Sequence, residues 1–153
     1  MKSFLLITAS LLSFACWSAI EYPVKNYSYI SDLDYQSEVQ NSDKYVVMVF
    51  SSSYCLDRSI VDRSCFLFER KFDSFIPSFS SKVKIVGFNT YFENSYATQL
   101  FEITKNPTVI IFKDNLILKK MEASYAPTDV VNGRIYWQDA FLKEVVNEVY
   151  KIR

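Results

Sequence analysis

Two cysteines, Cys55 and Cys65, stand ten positions apart in the stretch FSSSYCLDRSIVDRSC. A thiol pair can exchange with disulfides, clip the fold, or contribute to a soft metal site. Exchange needs a thiolate, and a thiolate needs a lowered pKa, which a helix N-terminus or nearby cations supply. The triplet Asp-Arg-Ser occurs at 57–59 and again at 62–64. Arg58 and Arg63 are therefore candidate cations, and Asp57 and Asp62 candidate helix caps. The chain has no histidine. That removes Cys-His and Ser-His-Asp schemes, and two thiols alone are too few ligands for a closed zinc site. No metal and no cofactor are expected. With only two glycines, Gly87 and Gly133, there is no glycine-rich phosphate loop. Basic and acidic residues balance at 17 each, so nothing in the charge points to nucleic acid.

Three readings of the pair stand side by side. It is a redox pair, a structural disulfide, or two unbonded thiols. A bond would close a loop of roughly 11 residues and stabilise the fold by about 2.5–3 kcal/mol in the chain-entropy model. One continuous helix from Leu56 would hold the two residues about 15 Å apart, too far for a bond that needs Cα atoms within about 7 Å. Cys65 would then be a small apolar core residue. Helix length argues for a surface loop over most of the doubled triplet. A helix from Arg63 to Ile76 already spans about 21 Å, enough to cross a six-residue strand at about 3.3 Å per residue. Asp62 is then the expected cap, with Cys65 in the first turn and able to bridge to Cys55.

The N-terminus sets the redox setting. Met1-Lys2 precedes an apolar run from Phe4 to Trp17 and then small residues, the pattern of a secretory signal. The run is short for a membrane span, which takes about 20 apolar residues. The expected organisation is a signal peptide over residues 1–19 and a single domain over 20–153. Cys16 leaves with the signal, so the mature chain keeps an even pair in an oxidising compartment, where a bonded pair is favoured. Export is to the endoplasmic-reticulum lumen, the periplasm or the medium. The C-terminus, YKIR, carries no Lys-Asp-Glu-Leu-type retention signal. Asn26-Tyr27-Ser28 is a glycosylation sequon if the source is eukaryotic. No membrane association is expected after cleavage, and the domain is expected to be a monomer.

The elements that must position the thiols follow from the hydrophobic pattern. Tyr27 to Ile30 reads as a short strand, and Tyr35 to Val39 as one or two helical turns behind the cap candidates Ser31-Asp32-Leu33-Asp34. Tyr45 to Phe50 is a continuous apolar run, as in a strand covered on both faces. Val61, Cys65, Phe68, Phe72 and Ile76 form a helical stripe. Val83 to Phe88 is a strand and Ser95 to Phe101 a short helix. Thr108 to Phe112 and Leu116 to Met121 make a hairpin about Asp114-Asn115. Ala123 to Gly133 is a connection, and Gln138 to Ile152 an amphipathic helix. The order β-α-β-α-β-α-β-β-α implies an α/β domain with a mixed central sheet and helices on both faces.

On two of these segments the chain resembles the thioredoxin superfamily, including the domains of protein disulfide isomerases. NSDKYVVMVFSSSYC looks like the family's strand leading to its first active-site cysteine, and FEITKNPTVIIFKDN like its cis-proline segment. The resemblance covers about Tyr27 to Lys151. It implies a thioredoxin-like fold, with Cys55 as the attacking thiol and Tyr54 beside it. Asn106 and Pro107, with a cis bond between them, form the substrate-facing edge. Arg58 stands where the family has its second cysteine. If seven residues were inserted, Cys65 takes that place, and C-x-x-C has become C-x9-C. The family's buried proton acceptor falls at Val49, and the lysine near it at Gly87, so both halves of that pair are missing here. The resemblance thus implies thiol-disulfide exchange or disulfide isomerisation, with protein thiols and disulfides as partners. The alternative is a redox-inactive binding module whose cysteines are structural.

Overall fold

The computed structural model describes residues 24–51, 64–90, 96–123, 130–131, 134–135 and 137–153. The expected signal peptide, Tyr54, Cys55 and most of the doubled Asp-Arg-Ser segment lie outside the described residues. Five strands make one mixed sheet: β1 (Ser28–Tyr29), β2 (Tyr45–Ser51), β3 (Val83–Asn89), β4 (Thr108–Lys113) and β5 (Leu116–Glu122). Their order is β1-β3-β2-β4-β5. β1, β3 and β2 run parallel, while β4 is antiparallel to β2 and β5 to β4. The helices are α1 (Ser64–Phe75), α2 (Tyr96–Leu100) and α3 (Trp137–Tyr150). This is the expected thioredoxin-like α/β architecture.

The central strand shows why the sequence chooses this layering. Every residue of β2 from Val46 to Ser51 is buried, so its two alternating faces must both be covered. Val47 and Val49 face a core built with Phe68 and Phe72 of α1 and Phe141, Val145 and Val149 of α3. Val46, Met48 and Phe50 face a second core with Tyr35, Val39, Phe88, Ala97 and Phe101. The aromatic content is spent here. Phe68 stacks on Phe72 at 5.8 Å and meets Phe141 at 4.9 Å, while on the other face Phe50 stacks on Phe88 at 5.0 Å.

Several local expectations are corrected. β1 is only Ser28–Tyr29, because the chain leaves the sheet once Ile30 N–H has bonded to Gly87 at 2.9 Å. The turns expected at Tyr35 to Val39 form a 3-10 turn, Asp32–Asp34, followed by a wide π-type turn, Gln36–Gln40. Ser31 Oγ donates to Asp34 at 2.7 Å, closing the first turn. Asp32 caps a different helix: its carboxylate accepts from the N–H groups of Tyr96 and Ala97 that open α2. The connection 123–133 is not wholly irregular. Val130–Val131 (β6) and Arg134–Ile135 (β7) pair as a small antiparallel ribbon. Two-residue strands are too short to show a period of two, so the sequence pattern passes over them. The Asp114-Asn115 turn is as expected, with φ positive at both residues (51° and 62°), the backbone of a tight hairpin.

Candidate functional site

In an open α/β sheet, chemistry gathers beyond the carboxyl ends of the parallel strands. That end is well defined here. β2 finishes at Ser51 and heads toward Cys55, and β3 finishes at Asn89. Thr90 N–H donates to the Ser51 carbonyl at 2.8 Å, tying the two strand ends together. β4 runs the other way, so its start comes to the same place: Thr108 is paired with Phe50. Pro107, the residue before it, is buried, and the Asn106-Pro107 peptide is cis, as the resemblance implied. Thr90 Oγ1 donates to Asn106 Oδ1 at 2.9 Å, and Ala123 N–H to the Pro107 carbonyl at 3.1 Å. The loop before β4 is thus pinned from β3 and from the end of β5.

Cys65 is the second residue of α1. The residues that precede α1, 52–63, lie outside the described residues, and with them the expected cap at Asp62 and the start of this helix. Cys55 and Tyr54 lie outside the described residues, and so does the geometry of any Cys55–Cys65 bond. Among the described residues no group of three metal-ligating side chains comes together.

Val49 and Gly87, where the resembling family keeps its proton-handling pair, are direct neighbours across β2 and β3. Neither is polar. Val49 is fully buried in the apolar core. Gly87 is covered by the ring of Tyr29, its partner in β1; a Cβ on Gly87 would lie 2.9 Å from Tyr29 Cδ2. The glycine is thus required by close approach of an aromatic ring.

A carboxylate nonetheless occupies this part of the core, from the helix that carries the phenylalanine stripe. Glu69 of α1 is fully buried. Tyr27 OH donates to its Oε2 at 3.0 Å, and Tyr29 OH donates to the same oxygen. Burial raises the Glu69 pKa, while Ser51, Tyr29 and Tyr27 draw it back down. Burial and the neighbouring carboxylate push both phenols well above their ordinary value, which keeps them protonated and donating. Ser51 Oγ is near enough to influence the carboxyl but not at hydrogen-bond geometry. Ser51 Oγ and Glu69 Oε1 each lack a partner among the described residues. One signal in the sequence was available. Glu69 sits inside the stripe Cys65, Phe68, Phe72, Ile76, where a solvated acid does not belong.

A second acid of α1 fixes the chain entering β1. Asp73 accepts from the N–H groups of Lys25 and Asn26, at 3.1 and 2.8 Å. Asn26 Nδ2, the atom a glycan would occupy, donates to Asp73 as well.

No family model matches the chain. Over 104 residues, covering 68% of this chain and 90% of the relative, it is 26% identical to a thioredoxin of Haemophilus influenzae. Together with the sheet order and the layering, that similarity supports a relationship to the thioredoxin superfamily.

Proposed function

We propose that this chain is a thioredoxin-fold protein of thiol-disulfide exchange acting on protein thiols and disulfides, with Cys55 and Cys65 as its redox pair in a C-x9-C arrangement. The observation that carries the reading is the convergence at one end of the sheet. The strand leading to Cys55 ends where the pinned Asn106-Pro107 loop enters β4, and α1, which carries Cys65, is the next described element of the chain after that strand. In this reading Cys55 attacks a substrate disulfide, Cys65 resolves the mixed disulfide, and Tyr54, Asn106 and Pro107 hold the substrate backbone. The similarity to a thioredoxin supports the class of chemistry. Export fits the pattern of residues 1–19 and would place the protein where disulfides form.

The test is the redox state and potential of the pair. The full chain is equilibrated in glutathione buffers, thiols are blocked, and non-reduced peptides are analysed by mass spectrometry after tryptic cleavage, which separates Cys55 from Cys65 at Arg58 and Arg63. A Cys55–Cys65 peptide whose abundance follows the glutathione ratio is the expected result. Separately alkylated peptides at every ratio would remove the redox reading. A bond that resists reduction throughout would make the pair a clip and the domain a binding module.

A further inference from the structure

At the far end of the sheet from the cysteines, the outer strand β5 departs from regular pairing. Ile111 lies opposite Lys119 and Phe112 opposite Ile117, so Leu118 has no partner of its own in β4. This is a β-bulge, a device that re-aims side chains. Regular alternation would send Leu118 and Lys119 to opposite faces; here both line one cleft of about 370 Å³. Tyr45, Ile111 and Ile152 supply the rest of its apolar lining. Leu118 remains 52% exposed, so the bulge has not turned it into the core. The result is an apolar wall facing an open cavity, of a size within the range of about 300–1,000 Å³ typical of small-molecule sites.

We propose that this cleft binds an amphipathic monocarboxylate, an aliphatic chain ending in one carboxylate, as in a free fatty acid. The charges select this class. Lys119, Lys151 and Arg153 line the cleft against a single acid, Glu148, in a chain whose charges otherwise balance at 17 each. Glu148 is already held by Lys151 at 2.6 Å. The side chains of Lys119 and Arg153 make no hydrogen bond or ion pair among the described residues. Lys82 donates to the Arg153 main-chain oxygen at 3.1 Å, which ties that residue to the start of β3. An incoming carboxylate thus meets one ammonium and one guanidinium fork not yet engaged.

The same surroundings oppose a polyanion such as a phosphate ester. Glu148 belongs to the last turn of α3, where the helix dipole presents its negative end. A single negative charge is balanced there and a second is repelled. The aliphatic side chains of Ile111, Leu118 and Ile152 then cover the tail. Tyr45 opens β2 and Ser51 closes it, so the cleft lies about 20 Å along the strand from the end that leads to Cys55. The proposal therefore stands apart from the redox reading, and its failure would leave that reading intact.

The experiment titrates decanoate, kept below its micellar range and at low ionic strength, into the full chain with labelled isoleucine and leucine methyl groups, followed by NMR. Saturable one-site shifts of the Ile111, Leu118 and Ile152 signals are the expected result. Lys119→Gln should weaken binding by about 3–10-fold, since Arg153 remains to hold the carboxylate. Leu118→Ser should weaken it by a similar factor through lost apolar contact. Both substitutions fall on exposed side chains. Decanol, which keeps the tail without the charge, and butyrate, which keeps the charge with a short tail, should each bind at least about tenfold more weakly. Equal binding of decanol and decanoate, an unchanged affinity in Lys119→Gln, or shifts confined to methyl groups outside the cleft would overturn the proposal. So would a chain that binds phosphatidylglycerol vesicles but not monomeric decanoate, which would mark the patch as a membrane-facing surface.

Discussion

Replacing Gly87 with alanine tests the close approach that shapes this half of the core. The position is not in the left-handed region, so the argument is space alone. An added Cβ would stand 2.9–3.0 Å from three atoms of the Tyr29 ring. Such contacts force the ring to shift, and overpacking of this kind costs about 1–3 kcal/mol. Against it stands the ordinary gain of replacing glycine within a strand, about 0.5–1 kcal/mol. The net expectation for Gly87→Ala is a loss of up to about 2.5 kcal/mol, read as a lower urea midpoint with unchanged slope. In a Tyr29→Val background the ring is gone and only the strand term remains. There the same substitution should be neutral or stabilising by up to about 1 kcal/mol. The coupling in the double-mutant cycle is thus about 1–3 kcal/mol, well above the error of such cycles for neighbouring residues. Equal destabilisation by Gly87→Ala in both backgrounds would refute the reasoning, as would a gain in the wild-type chain.

Phe68 is fully buried between Phe72 and Phe141, so Phe68→Ala should cost about 3–5 kcal/mol in urea unfolding. Because burial raises the folded-state pKa of Glu69 above its unfolded value, its contribution to stability is fully present below the unfolded pKa and is lost as pH rises through the folded pKa. The stability of wild type relative to Glu69→Gln, measured in urea at several pH values, should therefore be greatest in acid and decline toward neutral pH; a flat difference would contradict the burial argument. Val49 shares its sheet face with Ser51. Under the proposed redox function, Val49→Asp should speed thiol exchange at Cys55 by placing a proton acceptor in this core. In wild type, the same change puts two carboxyls in one core and should lower stability at neutral pH more than in acid. No gain in rate in the folded variant would favour a binding module with structural cysteines.

Much of the architecture was legible in the chain. The unbroken apolar run Tyr45 to Phe50 requires cover on both faces, and the stripe through Phe68 and Phe72 supplies it on one. The sequence Asn-Pro before a second apolar run marked the loop that meets the end of β2. These are local signals, written in the period and composition of short segments. The buried carboxylate was not legible in the same way. Glu69 reads as one acid on a helix, and Tyr27 and Tyr29 as alternate residues of a strand about 40 positions earlier. Only the β1–β3–β2 arrangement brings those hydroxyls over α1 and leaves room for the Tyr29 ring against Gly87. The sequence determined which side chains must leave water. The tertiary structure decided which polar atoms meet once they have left it, because a buried charge is tolerated only where long-range packing delivers its donors.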